Sequence, residues 1–335
     1  MLQPPLIVGL GELIWDLLPD GKQLGGAPTN FAYISRLLGN DSTVASRVGD
    51  DELGREALTK LERMGIDSWH IQIDPTHPTG TVGVRIDERG EASFQVRTDS
   101  AWDFLELTDD WKTLASTADA ICFGTLGQRS TQARQTILDF LKLTRSDAVR
   151  VFDVNLRHSF FTSEMLRESL ELATIVKLNS EELSTVGAML GLNNIQEEVH
   201  AASHENASEA LAESRETAEK ALARELIAAF DLRLLAITQG ERGSLLVTRE
   251  DSVTHPGFKV DVKDTIGAGD AFTAALVHHD LRSASLQDMS EAANRIGAWI
   301  CTQPGATPEI DRETLAEALN SLSEPELVTK ELRTL

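Results

Sequence analysis

"VRVFDVNLRHSFFTSEMLRESLELATIVKLN", residues 149–179, decides the fold class. Its two ends, "VRVFDVN" and "TIVKLN", are short apolar runs rich in β-branched residues. Between them the apolar residues take helical spacing. Strand, helix and strand in one stretch make a βαβ unit, which sets two parallel strands side by side. The alternation continues outward. "DAICFGTL" (119–126) lies upstream and "RLLAITQG" (233–240) downstream, each followed by a helical segment. Near the N-terminus, "LIVGLGELIWDLL" (6–18) reads as one strand. "GGAPTNFAYISRLLG" (25–39) reads as a helix opened by Pro28 and closed by Gly39. "STVASRVG" (42–49) and "DELGREALTKLERMG" (51–65) repeat the pattern. The expected class is α/β: a doubly wound, mostly parallel sheet flanked by helices.

Three stretches depart from the alternation. "GTVGVRIDERGEASFQVRT" (80–98) reads as two alternating strands meeting at "DERG", an antiparallel hairpin outside the parallel sheet. "SLLVTRED" and "SVTHPGFKVDV" (244–262) form a second hairpin at the far edge, before helices at 268–281 and 286–303. Residues 193–223 are rich in Ala, Glu and Ser and read as an acidic, solvated helical insertion. His200 and His204 in it share an i,i+4 spacing that suits a metal. No third ligand stands out, so incidental surface histidines are the preferred reading.

Composition narrows the function. Across 335 residues, 53 acids against 31 bases give a net charge of −22, which disfavours nucleic acid and anionic membranes as partners. No apolar run reaches membrane-spanning length. Two cysteines, Cys122 and Cys301, sit in apolar settings and imply no disulfide framework, so a cytoplasmic location is expected.

Most nucleotide motifs are missing. Gly9-x-Gly11 lacks the third glycine of a dinucleotide fingerprint, since Ile14 takes that place. There is no Walker P-loop and no protein-kinase set. "DTIGAGDAF" (264–272) remains. Gly267, Ala268 and Gly269 can offer consecutive N–H groups to an anion at a helix start. Asp270 follows at once, either as an acid favoured by the helix dipole or as a reacting group beside a bound phosphate. Gly25-Gly26 is an ordinary loop or a hinge, and Asp16 and Asn30 are residue types that bind hydroxyls.

"GGAPTN" followed by "LLG", "RVGDDELG", "DVNLR", "KLNSEEL", "ITQGERGSLL" and "DTIGAGDAF" stand in one order along the chain. In this the sequence resembles the PfkB, or ribokinase-like, carbohydrate kinases over nearly its whole length, the insertion excepted. The resemblance implies one kinase domain over 1–335, with a β-lid from about residues 10–26 and 79–106. It implies Asp270 as catalytic base and Gly267, Ala268 and Gly269 as the anion hole. Asp16, Gly25, Gly26, Asn30 and Arg157 would meet the sugar, although Arg157 could instead pair Asp153. Lys177, Asn179, Thr238, Gly240, Gly243 and Asn294 would serve ATP. Lys177 could also be merely exposed, and Asn294 an ordinary helix residue. Glu182 would organise Mg2+ through water, or complete a capping box with Asn179. Asp264, Ile266, Gln303 and Gly305 fall where many members hold a monovalent cation such as K+. A homodimer through the lid is a further implication. The opening resembles fructokinase-type members, so fructose is the expected acceptor. The "DVNLR" arginine makes 2-keto-3-deoxygluconate the alternative. Ribose is weakened because no acid lies between Cys122 and Leu138. A silent sugar sensor would have no need of Asp270.

Overall fold

The computed structural model describes residues 3–18, 21–86, 92–157, 159–192 and 209–322. Seven strands of its main sheet run parallel: β1 (Leu6–Leu10), β4 (Asp41–Gly49), β5 (Ile71–Asp74), β8 (Ala120–Gly124), β9 (Val149–Asp153), β10 (Ile175–Asn179) and β11 (Leu234–Thr238). The expected edge hairpin, β12 (Ser244–Val247) and β13 (Ser252–His255), adds two antiparallel strands, giving the order β13-β12-β11-β10-β9-β8-β1-β4-β5.

Period-2 alternation sends neighbouring side chains into two cores. Ile7, Cys122, Val151 and Ile175 face helices α1 (Ala27–Leu37), α8 (Ala268–Asp280) and α9 (Leu286–Cys301). Val8, Phe123, Phe152 and Val176 face α3 (Asp109–Thr117), α4 (Thr131–Lys142), α5 (Ser163–Leu172), α6 (Ser180–Leu190) and α7 (Glu209–Phe230). Helices α2 (Glu52–Arg63) and α10 (Arg312–Ser321) complete the described set. The doubly wound expectation holds. Cys122 and Cys301 are free thiols. Among the described residues, no helix is long and apolar enough to cross a membrane.

The single strand expected over 6–18 is in fact two. At Gly11 φ is +144°, a conformation that L side chains rarely adopt. The chain leaves the main sheet there and enters a small one as β2 (Ile14–Leu18). With β3 (Gly21–Gly25), β6 (Gly80–Ile86) and β7 (Ala92–Val96), β2 makes a sheet ordered β3-β2-β6-β7. The expected 80–98 hairpin is present as the antiparallel pair β6–β7, but β2 runs parallel to β6, so this sheet is mixed. The "DERG" turn lies outside the described residues.

The lone Gly9 has a packing cause. A Cβ there would come within 2.1 Å of the Pro28 carbonyl oxygen, because α1 begins directly across β1. Gly9→Ala is expected to destabilise by about 1–3 kcal/mol, as overpacking does, seen as a lowered thermal midpoint by circular dichroism.

The insertion needs correction as well. His200 and His204 lie outside the described residues, and Ala210–Ser214 of α7 are exposed as expected, but the rest of α7 is no free surface helix. Its Leu222, Ala223, Leu226 and Ile227 are buried in the core, and Glu219 is fully buried. The apolar run "ALARELIAAF" (221–230) continues the acidic stretch as one helix and anchors it.

Candidate active site

Helix α8 starts at Gly267, whose φ is +77°. A Cβ there would lie 2.3 Å from the Cβ of Ala306, so both conformation and close approach call for glycine. Asp270 falls in the first turn. Its Oδ2 accepts a 2.8 Å hydrogen bond from Asn30 Nδ2 on α1, a residue 95% buried. Burial, reinforced by the nearby Asp153 carboxylate, raises the Asp270 carboxyl to about 6, against the opposing pull of Asn30, Lys177 and Arg157. A carboxylate tuned upward in this way suits general-base work near neutral pH. The N–H of Ala268 makes a long 3.3 Å bond to Thr265 O.

Lys177 is buried, not exposed. It extends from β10 to Asp153 Oδ1 at 3.1 Å, while Thr273 Oγ1 donates to Asp153 Oδ2 at 3.0 Å. A Cβ on Gly269 would stand 2.7 Å from Lys177 Nζ, so the ammonium lies against the first turn of α8. Asp153 is therefore paired by Lys177 rather than by Arg157.

These groups border a cavity of about 710 Å³ between the two sheets. Asp16, Gly26, Asn30, Arg157, Lys177, Asn179, Glu182, Thr238, Ile266, Gly267, Gly269 and Asp270 all line it. The small sheet contributes Ile14, Asp16, Leu18, Val82 and Val96 as one wall. Gly25 serves indirectly: its missing side chain leaves room for Asp16 Oδ2, which would be 2.6 Å from a Cβ. Burial raises Asp16 to about 6 as well.

Other expected residues take supporting places. Gly240 and Gly243 have φ of +64° and +84° in the turn between β11 and β12. A Cβ on Gly243 would strike the His255 carbonyl at 2.0 Å, so that glycine lets the β12–β13 hairpin close. Asn294 is buried on α9, its Nδ2 donating to Ser244 Oγ and Ser290 O at 2.7 Å each, so its amide is spent on packing. Asp264 accepts from the Ile266 N–H at 3.0 Å and the Gly305 N–H at 3.2 Å, stapling two loops together. Gln303 turns its amide to Thr302 Oγ1.

Glu182 and Asn179 form a capping box, each accepting from the other's N–H at 2.8 Å. Glu182 Oε1 also accepts from the Leu156 N–H at 2.9 Å. With these bonds made, Glu182 meets a cation best through water. Among the described residues no group of three or more His, Cys, Asp or Glu could hold a metal alone. Asn179 and Glu182 are oxygen donors already bonded to backbone N–H groups, a set that would suit Mg2+, which keeps waters and borrows phosphate oxygens from its substrate.

Among the cavity residues that escaped sequence reasoning are Glu12 and Asn155. Glu12 is 3% exposed and its Oε2 has no hydrogen-bond partner; burial raises its carboxyl to about 7. An acid inside an otherwise apolar run was the available signal. Asn155 has φ +42°, strain typical of functional loops, and its carbonyl accepts from Thr125 Oγ1.

The profile of pfkB family carbohydrate kinases matches residues 20–312. The chain is 30% identical over 322 residues to the fructokinase of Escherichia coli, covering 89% of this chain and 93% of that one. An uncharacterized sugar kinase of Pyrococcus horikoshii, solved in complex with ATP, superposes with a TM-score of 0.75 at 27% identity, covering 94% of this chain and 99% of that one. The fructokinase of Vibrio cholerae in its fructose, ADP and calcium form gives 0.72 at 25% identity, with coverage of 94% and 99%.

Proposed function

Since the chain belongs to the pfkB family of carbohydrate kinases, phosphotransferases acting on a sugar hydroxyl, we propose that it moves the γ-phosphoryl of ATP to fructose. The observation that carries this reading is the Asn30–Asp270 hydrogen bond at the start of α8. It joins a hydroxyl-binding type of residue to a raised carboxylate beside a helix N-terminus.

The step follows from that geometry. The Asp270 carboxylate takes the hydroxyl proton. The sugar oxygen forms its bond to the γ-phosphorus as the bond from phosphorus to the β–γ bridging oxygen breaks, and ADP leaves. The first N–H groups of α8 and the Lys177 ammonium offset charge on the transferring group. Bound Mg2+ would neutralise phosphate charge, with Glu182 and Asn179 holding its waters. The loops stapled by Asp264 would offer backbone carbonyls to K+. The small sheet would act as the lid, and exposed Leu17 on β2 suits pairing of two copies through it in a reducing cytoplasm.

Charge supports a neutral sugar. Glu12, Asp16, Glu182 and Asp270 put four carboxyl groups on the cavity, and an anionic acceptor buried among them would be repelled. Arg157, also on the wall, favours the second reading, 2-keto-3-deoxygluconate. A coupled ADP-release assay with fructose, ribose and 2-keto-3-deoxygluconate decides between them. Fructose is expected to give the highest kcat/KM by at least tenfold. A tenfold advantage for the keto acid would make Arg157 a carboxylate clamp. Sugar binding without turnover would instead indicate a sensor.

A further inference from the structure

Helix α7 carries a buried ion pair for which phosphotransfer chemistry has no use. Arg215 and Glu219 are 4% and 0% exposed, with Arg215 Nε 3.4 Å from Glu219 Oε1. A cation four residues before an acid is the weaker order for helix stability. Burying such a pair returns little net stability in general. Helix stabilisation therefore does not account for it.

What Glu219 does reach is the turn after β11. Gln239 Nε2 donates to Glu219 Oε2 at 2.6 Å. Gln239 stands between Thr238 on the cavity wall and Gly240, and its own N–H closes the turn onto Gly243 O at 2.8 Å. Three residues earlier on α7, just under one turn, Glu216 Oε1 accepts from Thr254 Oγ1 of β13 at 2.9 Å. One helix face thus grips both the turn and the edge hairpin behind it. The turn itself contains two glycines at positive φ, the residue type that costs most to immobilise.

We propose that Glu219 is a positioning residue for the nucleotide: through Gln239 it fixes the 238–243 turn, which makes α7 part of the ATP site. This rests on ATP binding at that turn. Holding the turn in one conformation before ATP arrives removes an ordering cost from binding. Loss of the grip should therefore weaken ATP and leave the sugar untouched.

The experiment measures ATP affinity by calorimetry without sugar, and KM for ATP and for fructose separately. Glu219→Ala is expected to raise the ATP Kd and KM at least tenfold, with the fructose KM within twofold of wild type. Glu219→Gln, whose carbonyl can still accept from Gln239, should recover most of the loss. Should Glu219→Ala fail to fold, Gln239→Leu cuts the same link from the turn side, keeps the Arg215–Glu219 pair, and must show the same ATP-selective loss. Exposed Glu213, changed to Ala on the same helix, should leave both constants unchanged. A folded Glu219→Ala or Gln239→Leu protein with ATP affinity within twofold of wild type overturns the inference while the kinase reading stands. A wild-type protein that binds no ATP overturns the nucleotide reading, and this inference with it.

Discussion

Asp270→Asn is expected to lower kcat by about 10²–10⁴-fold, the usual contribution of a general base, while ATP and sugar still bind. The amide keeps an oxygen for the Asn30 Nδ2 bond but cannot take a proton. Stability separates this role from simple helix capping. The Asp270 carboxyl is raised to about 6 in the folded protein from an ordinary 3.8. A raised acid favours the folded state while it is protonated, and that contribution is lost as pH climbs through the folded value. At pH 8 the ionised carboxylate is therefore a cost, and Asp270→Asn should melt no lower than wild type. A plain helix cap would show the reverse, a lower melting point and a retained rate. In wild type, kcat/KM should fall as pH drops through about 6, since the base must be ionised. Near-full activity at pH 4.5 would contradict this assignment.

Lys177→Met is the second large effect expected. It removes the cation that lies against Gly269 and strands the buried Asp153 carboxylate. Breaking a buried pair on one side typically costs about 3–5 kcal/mol. Losing a preorganised charge at the transferring group costs about 10²–10³ in rate. The two consequences can be separated. Adding Asp153→Asn to Lys177→Met should recover much of the thermal stability, because no unpaired charge remains. Turnover should stay low. If rate returned together with stability, Lys177 would be a structural partner of Asp153 and nothing more.

Much of this was legible in the sequence because local rules and tertiary structure agree. The βαβ alternation is written in short β-branched runs, and "DTIGAGDAF" combines a left-handed glycine with a helix start. The residues that misled are those governed by distant partners. Gly11 ends β1 through a backbone angle that leaves no trace in a continuous apolar run. Asn294 looks available on a helix, yet Ser244, fifty residues earlier, takes up its amide. Glu12 looks like one acid in a strand, and only the meeting of β1, α1 and the small sheet makes it a buried group. The 193–223 stretch reads as solvated from its glutamates, because the hydrogen-bond partner of buried Glu219, Gln239, lies twenty residues on in the turn after β11.

The Asn30–Asp270 bond also dictates when the site can exist during biosynthesis. Its two residues are 240 positions apart. At ribosomal rates of about 5–20 residues per second, that gap lasts on the order of ten to fifty seconds. For most of it α1 is already made, while α8, which shares its core through Ala271, Phe272 and Ala275, is not. Phe31 and Ile34 must wait without their final cover. Asn30 is translated early and Asp270 only 240 residues later, so a chain released before α8 lacks the proposed base.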